Sequence, residues 1–133
     1  ALGSRSSAIF DIDNDGDLDI VTNEFHDGPM VLRSDLTDKK PIHWLKVKLQ
    51  GGPGGGEKQS NRDGLGAVVT LTAGGKSYTQ VNDGVSGYLS HSLIPLYFGD
   101  GAAVETIKVV WPSGVEQVVD KAEVNQLLTI TEP

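Results

Sequence analysis

The stretch His43-Trp44-Leu45-Lys46-Val47-Lys48-Leu49 places apolar residues at 45, 47 and 49 and lysines between them. A period of two puts every apolar side chain on one face of an extended strand and every lysine on the other, a pattern that a helix would scatter. Segments of the same kind recur at short intervals: 67–73 (AVVTLTA), 76–81 (KSYTQV), 94–98 (IPLYF), 106–111 (TIKVVW), 115–119 (VEQVV) and 126–131 (QLLTIT). Glycine and proline punctuate them, with Gly74-Gly75 suited to a tight hairpin and Pro112-Ser113-Gly114 to a second turn. Residues 120–125 leave room for one helical turn. Seventeen Gly and six Pro in 133 residues favour many turns over long helices. The expectation is an all-β chain, an antiparallel β-sandwich or barrel of seven or eight short strands.

The charge is uneven along the chain. Residues 1–40 carry nine acids and four bases, a balance of −5, whereas 41–133 carry nine acids and seven bases, a balance of −2. This splits the sequence into an N-terminal region, 1–40, and a β domain, 41–133. In the first, 7–10 (SAIF) and 18–22 (LDIVT) read as strands around an acidic loop, 23–30 (NEFHDGPM) as a turn, 31–33 (VLR) as a third strand and 34–41 (SDLTDKKP) as a polar linker. The chain begins ALGSRSSAIF without Met, which reads as a processed product or a piece of something longer, and no signal peptide is visible.

The acidic loop carries the chemistry. Asp11, Asp13, Asp15, Asp17 and Asp19 alternate along DIDNDGDLD. Five like charges this close repel strongly unless a cation or a donor network neutralises them. A hard dication such as Ca2+ takes six to eight oxygens at roughly 2.3–2.6 Å, and alternate residues of a tight loop can turn their carboxylates onto one ion. Gly16 permits the bend. In this reading Asp11, Asp13 and Asp15 offer carboxylates, Asp17 its backbone carbonyl, and Asp19 closes the shell. Mg2+ fits less well, because it keeps its waters. An EF-hand would need flanking helices and a glutamate at the twelfth position, which is Thr22 here. A solvated acidic turn capped on its own backbone is the bland alternative.

The segment AIFDIDNDGDLDIVTNE resembles the calcium loop of an FG-GAP (VCBS) repeat, which in that family lies between strands of a β-propeller blade. Only one copy is present, so the resemblance implies a hairpin remnant of a blade. Further on, Asn61-Arg62-Asp63-Gly64-Leu65-Gly66-Ala67, then Asp83 to Ser90 (DGVSGYLS), Leu96-Tyr97-Phe98-Gly99 and Val110-Trp111-Pro112-Ser113-Gly114 resemble, in order, the ASPIC and UnbV domain. Val85 stands where a small residue is expected. The resemblance covers about residues 5–131 and implies an extracellular or cell-surface setting and calcium in the repeat; it implies no known reaction.

Other residues are weaker candidates. The turn at Asn61-Arg62-Asp63-Gly64 reads as one held by side-chain-to-backbone hydrogen bonds, with a second metal or glycan contact as the alternative. Ser90 and His91 are neighbours on an extended segment and so point to opposite faces, which disfavours a nucleophile–base pair. Tyr88 and His91 suit a binding rim. His26 lies close to the acidic loop and reads as a surface residue or an outer-shell contact, while His43 has no visible partner. Trp44 and Trp111 read as core. Glycines 51–56 lack the Gly-Lys-Ser/Thr ending of a phosphate loop. Cysteine is absent, which removes disulfides, zinc thiolates and cysteine nucleophiles. The net charge of −7 argues against a nucleic-acid partner, and no apolar run reaches the length of a membrane span. The leading expectation is therefore a non-enzymatic, calcium-binding extracellular module for adhesion, protein interaction or self-assembly. A carbohydrate-binding module using Tyr78, Tyr88 and Tyr97 is second. A hydrolase using Asp63 or Asp83 is third.

Overall fold

The structure is a computed structural model, and it describes residues 3–52, 59–85, 87–99 and 103–133. The chain folds as β1 (Ser4–Phe10), β2 (Asp19–Glu24), β3 (Met30–Leu32), α1 (Leu36–Lys39), β4 (Trp44–Gln50), β5 (Val68–Ala73), β6 (Lys76–Val81), β7 (Leu96–Gly99), β8 (Val104–Val110), β9 (Glu116–Asp120) and β10 (Gln126–Thr131). It divides into two compact units. Ala1–Ile42 and Gly84–Ile94 form one; His43–Asp83 and Pro95–Pro133 form the other.

The second unit is all β, with two sheets in the orders β10-β4-β7 and β6-β5-β8-β9. The alternation of the sequence becomes its two layers. Leu45, Val47 and Leu49 turn inward from β4, where Lys48 is exposed. Val69 and Leu71 do the same from β5, and Ile107 and Val109 from β8; Phe98, Trp111 and Ile130 complete the cluster. Trp111, at 2 % exposure, hydrogen-bonds its indole N–H to Gln117 Oε1 at 2.9 Å, so its one polar atom is satisfied. Trp44 is only half-buried, with the Lys46 ammonium 4.7 Å above its ring, so of the two tryptophans expected in the core only Trp111 is fully there.

Two expectations change. The pairing is antiparallel except where β10 lies parallel to β4, Gln126 opposite Leu45 through Thr131 opposite Gln50. The two strands are joined through the other sheet, so no hairpin dictates their direction. The six residues from Asp120 to Asn125 make no helical turn: Lys121 (φ 54°) and Asn125 (φ 60°) are left-handed, which breaks any run of helical dihedrals. Most of the glycine run 51–56 lies outside the described residues.

The first unit holds the sheet β1-β2-β3, antiparallel throughout, with Ile9 opposite Ile20 and Ile20 opposite Leu32. Its buried side chains are of an unusual kind. Among the described residues they are Asp11, Asp17, Asp19 and Glu24, and every residue of the buried apolar core belongs to the other unit.

Candidate metal centre

β1 and β2 pair up to Phe10 opposite Asp19, so the chain between them must close as a tight loop. Asn14 (φ 61°) and Gly16 (φ 98°) take the left-handed conformations that turn it. The loop brings Asp11, Asp13 and Asp15 together: one carboxylate oxygen from each lies within 4.8 Å of the others. Two oxygens on one calcium at about 2.4 Å can be at most about 4.8 Å apart, so the spacing suits a shared ion. Internal hydrogen bonds shape the triad. Gly16 N–H donates to Asp11 Oδ2 at 3.1 Å, and Asp17 N–H to Asp15 Oδ1 at 3.0 Å. Arg33 pairs with Asp13 at 3.4 Å.

Asp17 and Asp19 stand apart from this triad and serve the backbone. Asp19, 1 % exposed, accepts from Ile12 N–H (2.9 Å) on one oxygen and Ser34 N–H (2.8 Å) on the other. Asp17, 2 % exposed, accepts on Oδ2 from Thr37 N–H (2.9 Å) and Thr37 Oγ1 (3.3 Å), and its Oδ1 has no hydrogen-bond partner. Burial pushes the Asp17 carboxyl up, but the Thr37 amide, the Ser34 hydroxyl, the Leu36 amide and the Thr37 hydroxyl outweigh it, and the net pKa lies below the usual carboxylate range. Thr37 Oγ1 also donates to Asp15 Oδ2 at 2.9 Å, tying the triad to the segment that follows β3. That segment, read as a linker, forms the single turn α1, and its Ser34, Thr37 and Arg33 are the partners that the loop's own sequence does not reveal. The one available signal was Ser34 and Thr37 themselves, residues that favour local backbone bonding.

The remaining candidates fall elsewhere. His26 is left-handed (φ 63°) and exposed, its ring 3.9 Å from that of Phe25. In the turn after β4, Asn61 Oδ1 accepts from Leu65 N–H (2.8 Å) and Asn61 Nδ2 donates to Leu65 O (2.7 Å), the hydrogen-bonded turn of the simpler reading. Gly64 (φ 64°) closes it. Asp63 is chelated by Arg62, with contacts of 3.1 and 2.9 Å. The Arg62 hydrogen bonds lower its pKa, burial opposes them, and the charges of Arg62 and Lys48 lower it further. A carboxylate held ionised in this way is a poor proton donor. Tyr78 and Tyr88 are 38 % and 64 % exposed and lie in different units, while Tyr97 is half-buried. His91 is exposed and bridges Val85 through the backbone.

Residues 56–133 match the family described as ASPIC and UnbV. The chain belongs to the ASPIC and UnbV family. Curated proteins return no match to it. The motifs of this ASPIC and UnbV chain take structural posts. Leu96–Gly99 is β7, Trp111 is the largest fully buried side chain, and Gly114 (φ 90°) turns β8 into β9. The Asp83 to Ser90 motif includes residue 86, which lies outside the described residues.

Proposed function

We propose that the chain is a calcium-binding extracellular β module for adhesion or assembly, in which the ion has a structural role. On this reading residues 1–40 are an FG-GAP-like repeat. The observation that carries it is the convergence of the Asp11, Asp13 and Asp15 carboxylates within 4.8 Å in a unit whose buried side chains are otherwise Asp17, Asp19 and Glu24. A unit with buried carboxylates and no buried apolar residue among those described gains little from the hydrophobic effect, so cross-linking by a dication is an effective source of order. Asp11, Asp13 and Asp15 would hold the ion, and Asp17 and Asp19 would hold the loop in shape. Bound calcium would supply charge neutralisation and a fixed loop geometry. The ligands all come from one loop, which favours a structural role over a catalytic one.

Thermal melting in calcium and in EDTA tests this. EDTA is expected to lower the melting temperature and excess calcium to restore it, with Asp13→Ala and Asp15→Ala matching the chelated state and gaining nothing from calcium. Identical melting in both buffers would refute the proposal.

A further inference from the structure

The hairpin of β5 and β6 leaves one edge of the four-stranded sheet without a neighbour. β6 pairs with β5 over its whole length, Lys76 opposite Ala73 through Val81 opposite Val68, with no shift of register. It is terminal in the order β6-β5-β8-β9. Gly74 (φ 57°) and Gly75 (φ 71°) form a turn with both central residues left-handed. In such a turn the Lys76 N–H bonds Ala73 C=O, so Lys76, Tyr78 and Gln80 direct their backbone groups toward β5. Ser77, Thr79 and Val81 then direct theirs outward. Among the described residues, no hydrogen bond reaches those outward groups.

Edge strands are normally guarded by a central charge, a proline, a bulge or extreme shortness. β6 has six residues, no proline and no bulge, and its one charge, Lys76, sits at the turn. The other edges of this unit are less open. β7 has four residues, and its Tyr97 carbonyl accepts from Gln80 Nε2 at 2.6 Å. The Thr131 carbonyl of β10 accepts from Gln117 Nε2 at 3.2 Å. Pairing β9 with itself in full register would set Glu116 against Asp120, a like-charge pair.

We infer that β6 pairs antiparallel with β6 of a second copy about a two-fold axis at Thr79, joining two four-stranded sheets into one. In this register Thr79 meets Thr79, and Ser77 and Val81 meet one another on either side. Tyr78 faces Gln80, and Lys76 faces Asn82, so no like charges oppose. Threonine pairs across antiparallel strands are favourable. Val81, 50 % exposed, and Tyr78 add apolar surface to the seam. One strand pair is a small interface, so the dimer is weak. Each copy carries −7, so salt that screens the long-range repulsion strengthens it. The interface lies in the second unit and goes beyond the calcium reading.

Sedimentation velocity of the full chain over about 10–500 μM, the range suited to small interfaces, is expected to show a monomer–dimer equilibrium. The equilibrium should be unaltered by EDTA and shifted toward dimer by added salt. Thr79→Lys and Thr79→Glu each put like charges on the axis and should weaken dimerisation about tenfold or more. An equimolar mixture of the two variants places Lys opposite Glu and should restore it, which a folding defect could not do. A wild-type chain that stays monomeric throughout, or variants that associate as wild type does, or a mixture no better than its components, overturns the inference.

Discussion

Glu132 shows how a buried charge is made tolerable one donor at a time. The carboxylate is 2 % exposed. Its Oε1 accepts from the hydroxyls of Ser60 (3.0 Å) and Ser113, and its Oε2 from the amides of Gly52 (3.1 Å) and Ser60 (2.9 Å). Burial pushes its pKa up, but the Ser113 hydroxyl, the Gly52 and Ser60 amides and the Ser60 hydroxyl prevail, and the net pKa is below the ordinary value of 4.5. A folded pKa below the unfolded one gives stability that is full above the unfolded value and lost as pH falls through the folded one. Denaturant melts should therefore show a loss below about pH 4.5 that Glu132→Gln lacks. At pH 7, Glu132→Ala strands its donors and should cost about 2 kcal/mol, read as a lower denaturant midpoint. Gly64 is a second single-residue test. A Cβ there would lie 2.8 Å from Leu49 Cβ and 3.1 Å from Trp111 Cζ3 at a φ of 64°. Strain and overpacking together should make Gly64→Ala destabilising by about 2–4 kcal/mol.

At the scale of elements, short-range signals were legible and long-range ones were not. Alternation located β4, and the Gly74-Gly75 turn located β5 and β6, because a strand face and a two-residue turn are written in adjacent residues. The parallel partnership of β4 and β10 was not, since nothing in either strand names a partner some eighty positions away in sequence. The acidic loop divides in the same way. The convergence of Asp11, Asp13 and Asp15 follows from their spacing. The posting of Asp17 and Asp19 to Thr37 and Ser34 depends on where the chain returns after β3. Glutamine side chains link elements too. Gln117 both accepts from the Trp111 indole and donates to Thr131 O. Gln117→Leu should leave the buried indole N–H unsatisfied and cost about 1–3 kcal/mol, with an altered Trp emission in the folded state.

Across the whole molecule, the two units rest on different physics. One has Trp111 and aliphatic residues in a closed core; the other has buried carboxylates and the loop amides that meet them. Hydrogen exchange should therefore respond to chelation locally. The amides of Gly16 and Asp17, which donate within the loop, and that of Thr37, which donates to Asp17, are expected to lose protection in EDTA. Amides in β4, β5 and β8 should be unchanged. Uniform change across both units, or none at the loop, would show that the ion does not order the first unit alone.

Calorimetric titration of calcium into metal-stripped protein is the most direct test of the central claim. The account expects saturable binding to one site in the intact chain and none in Asp13→Ala or Asp15→Ala. An intact chain that takes up no calcium, or a variant that binds as well as the wild type, would contradict it.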